Sequence, residues 1–176
     1  QVNDKPVIVS GQPASLLEDA SLAVSRTILT VTDAENSIDQ MTFKLLIGSN
    51  YTLVDDTIIH PVPDYNGILT VPAVITDLGG LSDTIDLAVT VEAVNDAPSF
   101  SVLDTTKINE DHPLDSVDIT SVLKGPANEN SQTITWAVTK NQAYSWYVVV
   151  PHIVENSGTY YIEYQVADNE NGSDSL

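Results

Sequence analysis

Apolar and polar residues alternate along several segments of the chain, which is the pattern of half-buried β-strands. Ile85, Leu87, Val89 and Val91, for example, are separated by single polar or small residues. The segments that share this pattern are 41–45, 69–75, 85–92, 134–138 and 160–166. No segment combines a 3.6-residue apolar period with helix caps. The pattern therefore predicts an all-β protein.

The chain repeats itself with an offset of about 92 residues. Val2-Asn3-Asp4 returns as Val94-Asn95-Asp96, and further matches follow in the same order. They pair Glu18 with Glu110, Phe43 with Trp136, Gly67 with Gly158, Asp77 with Asp168 and Asp83 with Asp174. An internal repeat of this length indicates tandem domains. We predict two units, residues 1–94 and residues 95–176.

Strands of five to nine residues in a unit of this length are typical of a Greek-key sandwich with seven strands. The predicted fold is therefore two tandem seven-strand Greek-key β-sandwiches of the immunoglobulin-like class. Because Leu176 aligns with Ile85, we expect the second sandwich to lack its last strand. A neighbouring copy could supply that strand. Pro72 interrupts an alternating segment, which favours an edge strand or a bulge there.

The charge and the composition of the chain exclude several classes of function. The chain carries 25 acidic and 6 basic side chains, for a net charge of −19, which argues against a nucleic-acid partner. No apolar run is long enough to span a membrane. The chain has no cysteine, which excludes disulfides and thiol catalysis. No catalytic motif is present, so we expect a protein that is not an enzyme.

The segment that joins the two units carries the most specific motif, Glu92-Ala93-Val94-Asn95-Asp96-Ala97-Pro98-Ser99-Phe100. Further marks are Glu18, Asp33-Ala34-Glu35, Asp64-Tyr65-Asn66-Gly67, and Asp77 followed by Gly80. In this order they resemble the cadherin-like tandem repeats of large bacterial surface proteins, among them the adhesins of the RTX type. The chain is more distantly similar to cadherins themselves.

The resemblance implies Ca²⁺ at the junctions between repeats, in an extracellular adhesion or stalk protein stiffened by the ion. Calcium takes six to eight oxygen ligands, chiefly from carboxylates and carbonyls. The implied partners are neighbouring repeats of the same chain, a second adhesin copy or a surface polysaccharide. The implied metal ligands are Glu18, Glu92, Asn95, Asp96, Asp77 and Asp168, together with Asp33 and Glu35 for a preceding junction.

The second unit departs from this pattern. Asp33 and Glu35 align with Gly125 and Ala127, so the acid pair of the first unit has no counterpart in register. Glu129 is an acid nearby, but its offset from Glu35 is 94 residues. Unless Glu129 substitutes for the missing pair, we therefore expect the junction inside this chain to bind fewer ions, or to bind calcium weakly.

Two alternative functions remain open. Tyr144, Trp146 and Tyr147 cluster in the second unit and could stack against a polysaccharide, although alternation also allows them to fill a core. Alternatively, the acidic residues are a solvated surface, and the chain is a structural spacer that does not need calcium.

Overall fold

A computed structural model of the chain describes residues 2–102, 107, 113–139 and 147–168. The chain divides into two compact units, Gln1–Val94 and Asn95–Leu176. Over the described residues the fold is all-β, and its helical segments are 3₁₀ turns at Arg26–Ile28, Ile38–Gln40 and Ala127–Glu129. None of the described helices has the length and apolarity needed to cross a membrane.

The first unit contains nine strands, listed here in chain order: β1 (Val7–Gly11), β2 (Ala14–Leu17), β3 (Leu22–Ala23), β4 (Leu29–Thr32), β5 (Thr42–Leu45), β6 (Tyr51–Val54), β7 (Ile58–Pro61), β8 (Gly67–Thr76) and β9 (Ser82–Glu92). One sheet has the order β2-β9-β8-β5. The opposing strands pair as β1-β4 and as β3-β7-β6. With β1/β2 and β3/β4 each counted as one interrupted strand, the unit is a β-sandwich of seven strands.

The core of the first unit is closed. Its alternating apolar residues face inward from both sheets, and Leu45, Ile59, Leu69 and Val71 are each no more than 1% exposed. The predicted strands over 69–75 and 85–92 are confirmed as β8 and β9. Burial of this apolar surface is the main favourable term in folding the unit.

Pro72 lies in a central strand, so the prediction of an edge was wrong. β8 is paired with β9 on one side and with β5 on the other. The Pro72 carbonyl accepts a hydrogen bond from the Leu46 N–H at 2.9 Å, so the proline nitrogen faces the same side. Proline has no backbone N–H to donate on this side. Because β5 ends at Leu45, Pro72 lies just beyond the last residue pair of the β5–β8 ladder, and no hydrogen bond of that ladder is lost.

The described part of the second unit forms one sheet of four strands. The strands are β10 (Ser99–Val102), β11 (Asp115–Leu123), β12 (Tyr147–Asn156) and β13 (Thr159–Val166). Their order in the sheet is β10-β11-β13-β12, and all the pairs are antiparallel. The predicted strand over 160–166 is confirmed as β13.

Two strand correspondences from the repeat were wrong. β13 lies between β11 and β12, as β7 lies between β3 and β6 in the first unit, so β13 does not take the place of β8. Matching Gly158 with Gly67 therefore aligned strands that occupy different positions. The segment 134–138 is not assigned as a strand. Its counterpart β5 pairs with β8, whereas both sides of β13 are already taken.

Candidate functional site

The first acidic cluster lies in unit 1 and consists of Asn3, Asp4, Asp33, Glu35 and Asp77. Asp33 directly follows β4, and its Oδ1 accepts hydrogen bonds from the N–H groups of Glu35 (3.0 Å) and Asn36 (2.6 Å). Such a turn, closed by an aspartate side chain, fixes the direction of the loop. It presents Glu35, whose Oε2 accepts the Asp4 N–H at 3.2 Å.

Asp77 follows the end of β8 and is 6% exposed. Its Oδ2 accepts a hydrogen bond from Asn3 Nδ2 at 2.9 Å, and its Oδ1 accepts the Leu81 N–H at 2.9 Å. Desolvation raises the pKa of Asp77, but the bonds from Asn3 and from the backbone of Leu81, Gly80 and Gly79 outweigh it. The pKa therefore lies below the ordinary value. Asp77 is a carboxylate at neutral pH.

Two oxygen atoms beside this cluster are buried without a hydrogen-bond partner among the described residues. They are Asp33 Oδ2 and Asn36 Oδ1. A buried polar atom without a partner costs free energy, about 1–3 kcal/mol in typical proteins. A cation beside either atom would compensate it, since both are the hard oxygen donors that calcium prefers.

The second acidic cluster lies in unit 2 and consists of Asn95, Asp96 and Glu129. The Asp96 N–H donates to Glu129 Oε1 at 2.9 Å, and Gln132 Nε2 donates to the same oxygen at 3.0 Å. Asn95 Nδ2 donates to the Asp96 carbonyl at 3.1 Å. Glu129 is only 5% exposed, and its Oε2 is buried without a hydrogen-bond partner in the described part of the chain.

Glu129 makes the contact in unit 2 that Glu35 makes in unit 1. Each carboxylate accepts the backbone N–H of the aspartate in a Val-Asn-Asp motif, Asp96 in one unit and Asp4 in the other. Glu35 lies three residues beyond β4, whereas Glu129 lies six residues beyond β11, on the 3₁₀ turn Ala127–Glu129. The longer loop accounts for the shifted register, so unit 2 has a counterpart of Glu35 that alignment by offset did not find.

Gly125 allows this longer loop to close. Its φ of +137° is a conformation that favours glycine, and a Cβ there would overlap the Glu129 carboxylate. Asp168, by contrast, does not reproduce the environment of Asp77. It is exposed and lies two residues beyond β13, which is a strand of different position from β8.

Glu18 and Glu92 lie together at the end of β9. The Glu18 N–H donates to the Glu92 carbonyl at 2.8 Å, and Glu18 Oε1 accepts the Val94 N–H at 2.7 Å. Glu18 is 3% exposed, whereas Glu92 is exposed. Glu18 therefore fixes the backbone where the chain leaves unit 1.

Asp19 and Asp64 are acids of unit 1 that sequence reasoning did not include among the ligands. The Asp64 N–H donates to Asp19 Oδ1 at 3.3 Å, and both residues have positive φ angles, near +60°. The signal was present in the Glu18-Asp19 and Asp64-Tyr65-Asn66-Gly67 motifs, but spacing alone does not show that two loops meet.

The predicted aromatic site falls largely outside the described residues. Tyr144 and Trp146 are not among them. Tyr147 begins β12, pairs with Val166 and is half-buried. A different set of aromatic residues meets in unit 2, where the Trp136 ring lies 5.2 Å from Phe100 and 5.1 Å from Tyr160, measured between ring centroids.

Comparisons with known proteins concern the fold. The structure of PcdhgB3 EC1-4 matches with 13% identity and a TM-score of 0.50, and that of protocadherin gamma B7 extracellular cadherin domains 1–4 with 19% and 0.46. Each match covers 93% of this chain but only 41% of the other. The Bacteroides ovatus glucan-utilisation protein SGBP-B, solved with a mixed-linkage heptasaccharide, matches with 16% identity, coverages of 98% and 43%, and a TM-score of 0.34. The fold is cadherin-like.

No family model and no curated protein sequence matches the chain. The chain spans about two fifths of the length of the two protocadherin structures. The cadherin-like fold therefore rests on strand topology and shape.

Proposed function

We propose that the chain is a pair of calcium-binding, cadherin-like repeats from a large extracellular adhesion or stalk protein. The functional parallel for this proposal is the group of bacterial surface proteins that the sequence resembles. Calcium bound at Asn95 and Asp96 limits the freedom of the segment that joins the repeats. The neighbouring repeats of the same chain are the immediate partners, and no reaction is catalysed.

The donor set favours calcium over other cations. Both clusters offer only carboxylate, amide and backbone oxygens, and the chain has no cysteine. Zinc and copper prefer nitrogen or sulfur ligands, whereas calcium is a hard cation with oxygen ligands. In the first acidic cluster, Asp33 would contribute a ligand through its buried Oδ2. In the second acidic cluster, Glu129 and Asp96 would hold the ion.

Glu129 carries the proposal. A glutamate that is 5% exposed, with one carboxylate oxygen lacking a hydrogen-bond partner in the described structure, is costly in a protein of net charge −19. A divalent cation beside Oε2 would offset that cost. The proposal therefore expects Glu129 to be a calcium ligand, although its register differs from that of Glu35.

The test is thermal unfolding of the whole chain in millimolar calcium and in chelator, followed by tryptophan fluorescence. Both tryptophans, Trp136 and Trp146, belong to unit 2. The proposal expects a rise of many degrees in calcium, because a ligand that binds only the folded state stabilises it. Glu129→Gln should remove most of that rise. Asp118→Asn, an exposed carboxylate on β11, is the control of equal charge change and should retain it.

Two results would contradict the proposal. If calcium does not raise the unfolding temperature of the native chain, the alternative of a spacer independent of calcium is correct. If Glu129→Gln and Asp118→Asn lose the calcium effect equally, the stabilisation comes from general charge screening. Small-angle scattering with and without calcium then measures whether the joining segment becomes stiffer.

A further inference from the structure

Unit 2 contains a groove that the calcium proposal does not use. Its volume is about 420 Å³, within the range of small-molecule sites in proteins. The residues lining it are Lys124, Thr133, Ile134, Trp136, Ile153, Glu155 and Tyr160. We define this set as the aromatic groove.

The groove lies on one face of the four-stranded sheet. Glu155 on β12 is paired with Tyr160 on β13, and Ile153 is paired with Ile162, so Ile153, Glu155 and Tyr160 project from the same face. The segment that carries Ile134 and Trp136 packs over this face through the contact between Trp136 and Tyr160. The groove is therefore lined by two aromatic rings, Trp136 and Tyr160, and by the apolar side chains of Ile134 and Ile153.

The remaining lining residues are polar and differ in chemistry. Thr133 and Glu155 are exposed, and Lys124 is half-buried. They supply a hydroxyl, a carboxylate and an ammonium group, so the groove offers both donors and acceptors without net charge. The indole N–H of Trp136 is not one of these groups, because it is buried, without an acceptor among the described residues.

We propose that the aromatic groove binds a neutral saccharide. A sugar ring has an apolar C–H face that fits the Trp136 and Tyr160 rings, and a rim of hydroxyl groups that both donate and accept hydrogen bonds. Purely apolar ligands would leave Lys124 and Glu155 desolvated and unpaired.

The negative net charge of the protein favours uncharged saccharides over acidic ones. A net charge of −19 on the whole chain repels uronic-acid and sulfated polymers but not uncharged ones. The proposed ligand is therefore an uncharged oligosaccharide. This inference does not depend on calcium, because none of the groove residues belongs to either acidic cluster.

The experiment titrates the 176-residue chain with neutral hexasaccharides of glucose, mannose, xylose and galactose, and with an oligogalacturonate as the acidic contrast. A Trp146→Phe background makes Trp136 the only tryptophan, so its fluorescence reports groove occupancy. We expect saturable binding of at least one neutral hexasaccharide and none of the oligogalacturonate.

Variants of exposed polar residues avoid the risk that loss of Trp136 unfolds the unit. Glu155→Gln and Thr133→Ala should each weaken binding, with about a tenfold loss for Glu155→Gln, since a hydrogen bond to a charged group is removed. Glu163→Gln is the matched control, because Glu163 lies on β13 but projects from the opposite face of the sheet. It should bind as the native chain does.

Three results would overturn the proposal. The first is the absence of binding to every neutral hexasaccharide. The second is unchanged binding in both Glu155→Gln and Thr133→Ala. The third is a Trp136 signal that changes with protein concentration in the absence of sugar, which would identify a second copy of the chain as the occupant.

Discussion

The two units differ in how their cores are covered. In unit 1, two sheets face each other, and the central residues Ile59, Val71 and Ile75 are completely inaccessible to solvent. In the described part of unit 2, one sheet faces a single extended segment, and Ile153 and Ile162 remain half-buried. Yet both units make the same carboxylate contact to a Val-Asn-Asp backbone. Among the described residues, the acidic contact is therefore the same in the two units, whereas the burial of the core residues differs.

The largest effect is expected from truncating a core residue in each unit, which tests whether the two cores differ. Ile59→Ala should destabilise unit 1 by about 4 kcal/mol, because it leaves a cavity in a closed core. Ile153→Ala should cost about 1 kcal/mol, because water already reaches this side chain. Urea unfolding followed by circular dichroism and by tryptophan fluorescence measures both. Equal losses at the two positions would show that the core of unit 2 is as closed as that of unit 1.

The next largest effect is expected in the first acidic cluster, at the hydrogen bond between Asn3 and Asp77. A Cβ at Gly79 would overlap the Asn3 side chain, so Gly79→Ala should break the Asn3–Asp77 hydrogen bond and cost about 1–2 kcal/mol. Asn3→Ala removes the same bond without a clash. In a double-mutant cycle, the two substitutions should be clearly non-additive. Additive losses would mean that Gly79 acts independently of Asn3.

A third prediction concerns acid. Asp83 accepts hydrogen bonds from Lys5 Nζ at 2.7 Å and from the Ile8 N–H at 2.9 Å, and these bonds hold its pKa below the ordinary value. The pKa of Asp77 is also lowered. At a pH between the lowered pKa of each carboxyl group in the native state and its ordinary pKa in the unfolded state, the unfolded chain binds more protons than the native chain. This part of the stability of unit 1 is therefore present above about pH 4 and lost as the pH falls further.

Asp83→Asn tests the acid prediction. It should cost about 1 kcal/mol at pH 7 and flatten the loss of stability below pH 4, measured by urea unfolding at a series of pH values. A variant with the same acid dependence as the native chain would contradict the assignment to Asp83.

The smallest effects are expected at the surface ion pairs. Arg26–Asp39 in unit 1 has an N–O distance of 3.2 Å, and His152–Glu163 in unit 2 has one of 3.7 Å. Asp39→Asn and Glu163→Gln should each change the free energy of unfolding by less than about 0.5 kcal/mol in 150 mM salt. A larger loss in either variant would show that ion pairing contributes to the difference between the units.

Alternation predicted β8, β9 and β13 because a half-buried strand has two faces of different polarity. It could not identify the neighbours of β13, since the same pattern fits a strand beside β11 or one in the opposite sheet. The segment 134–138 shows the same limit. It has the apolar pattern of a strand, but a strand also needs backbone hydrogen bonds to a neighbour, and the sequence does not say whether one is available.

As with the strands, the sequence identified some of the residues in the two acidic clusters but not all of them. Asp33, Glu35 and Asp77 were identified from the motifs, and in the structure Glu35 and Asp77 each bond to the segment Asn3-Asp4. Their binding of calcium stays a prediction. Glu129 was left out of the predicted ligands because a fixed offset treats the two loops as equal in length. Gly125 was the available signal, since a glycine directly before a proline at the end of a strand marks an altered turn.

The parallel pair of β2 and β9 has a mechanical consequence. β2 is near the start of unit 1, β9 is its last strand, and the ladder runs from Ala14–Val89 to Leu17–Glu92. Tension applied at the two ends of the unit pulls these strands along their length in opposite directions. All the hydrogen bonds of the ladder are then loaded in shear at once, rather than opened one by one. Unit 1 therefore resists stretching through this ladder, and its lifetime under load is set by the rate of unfolding.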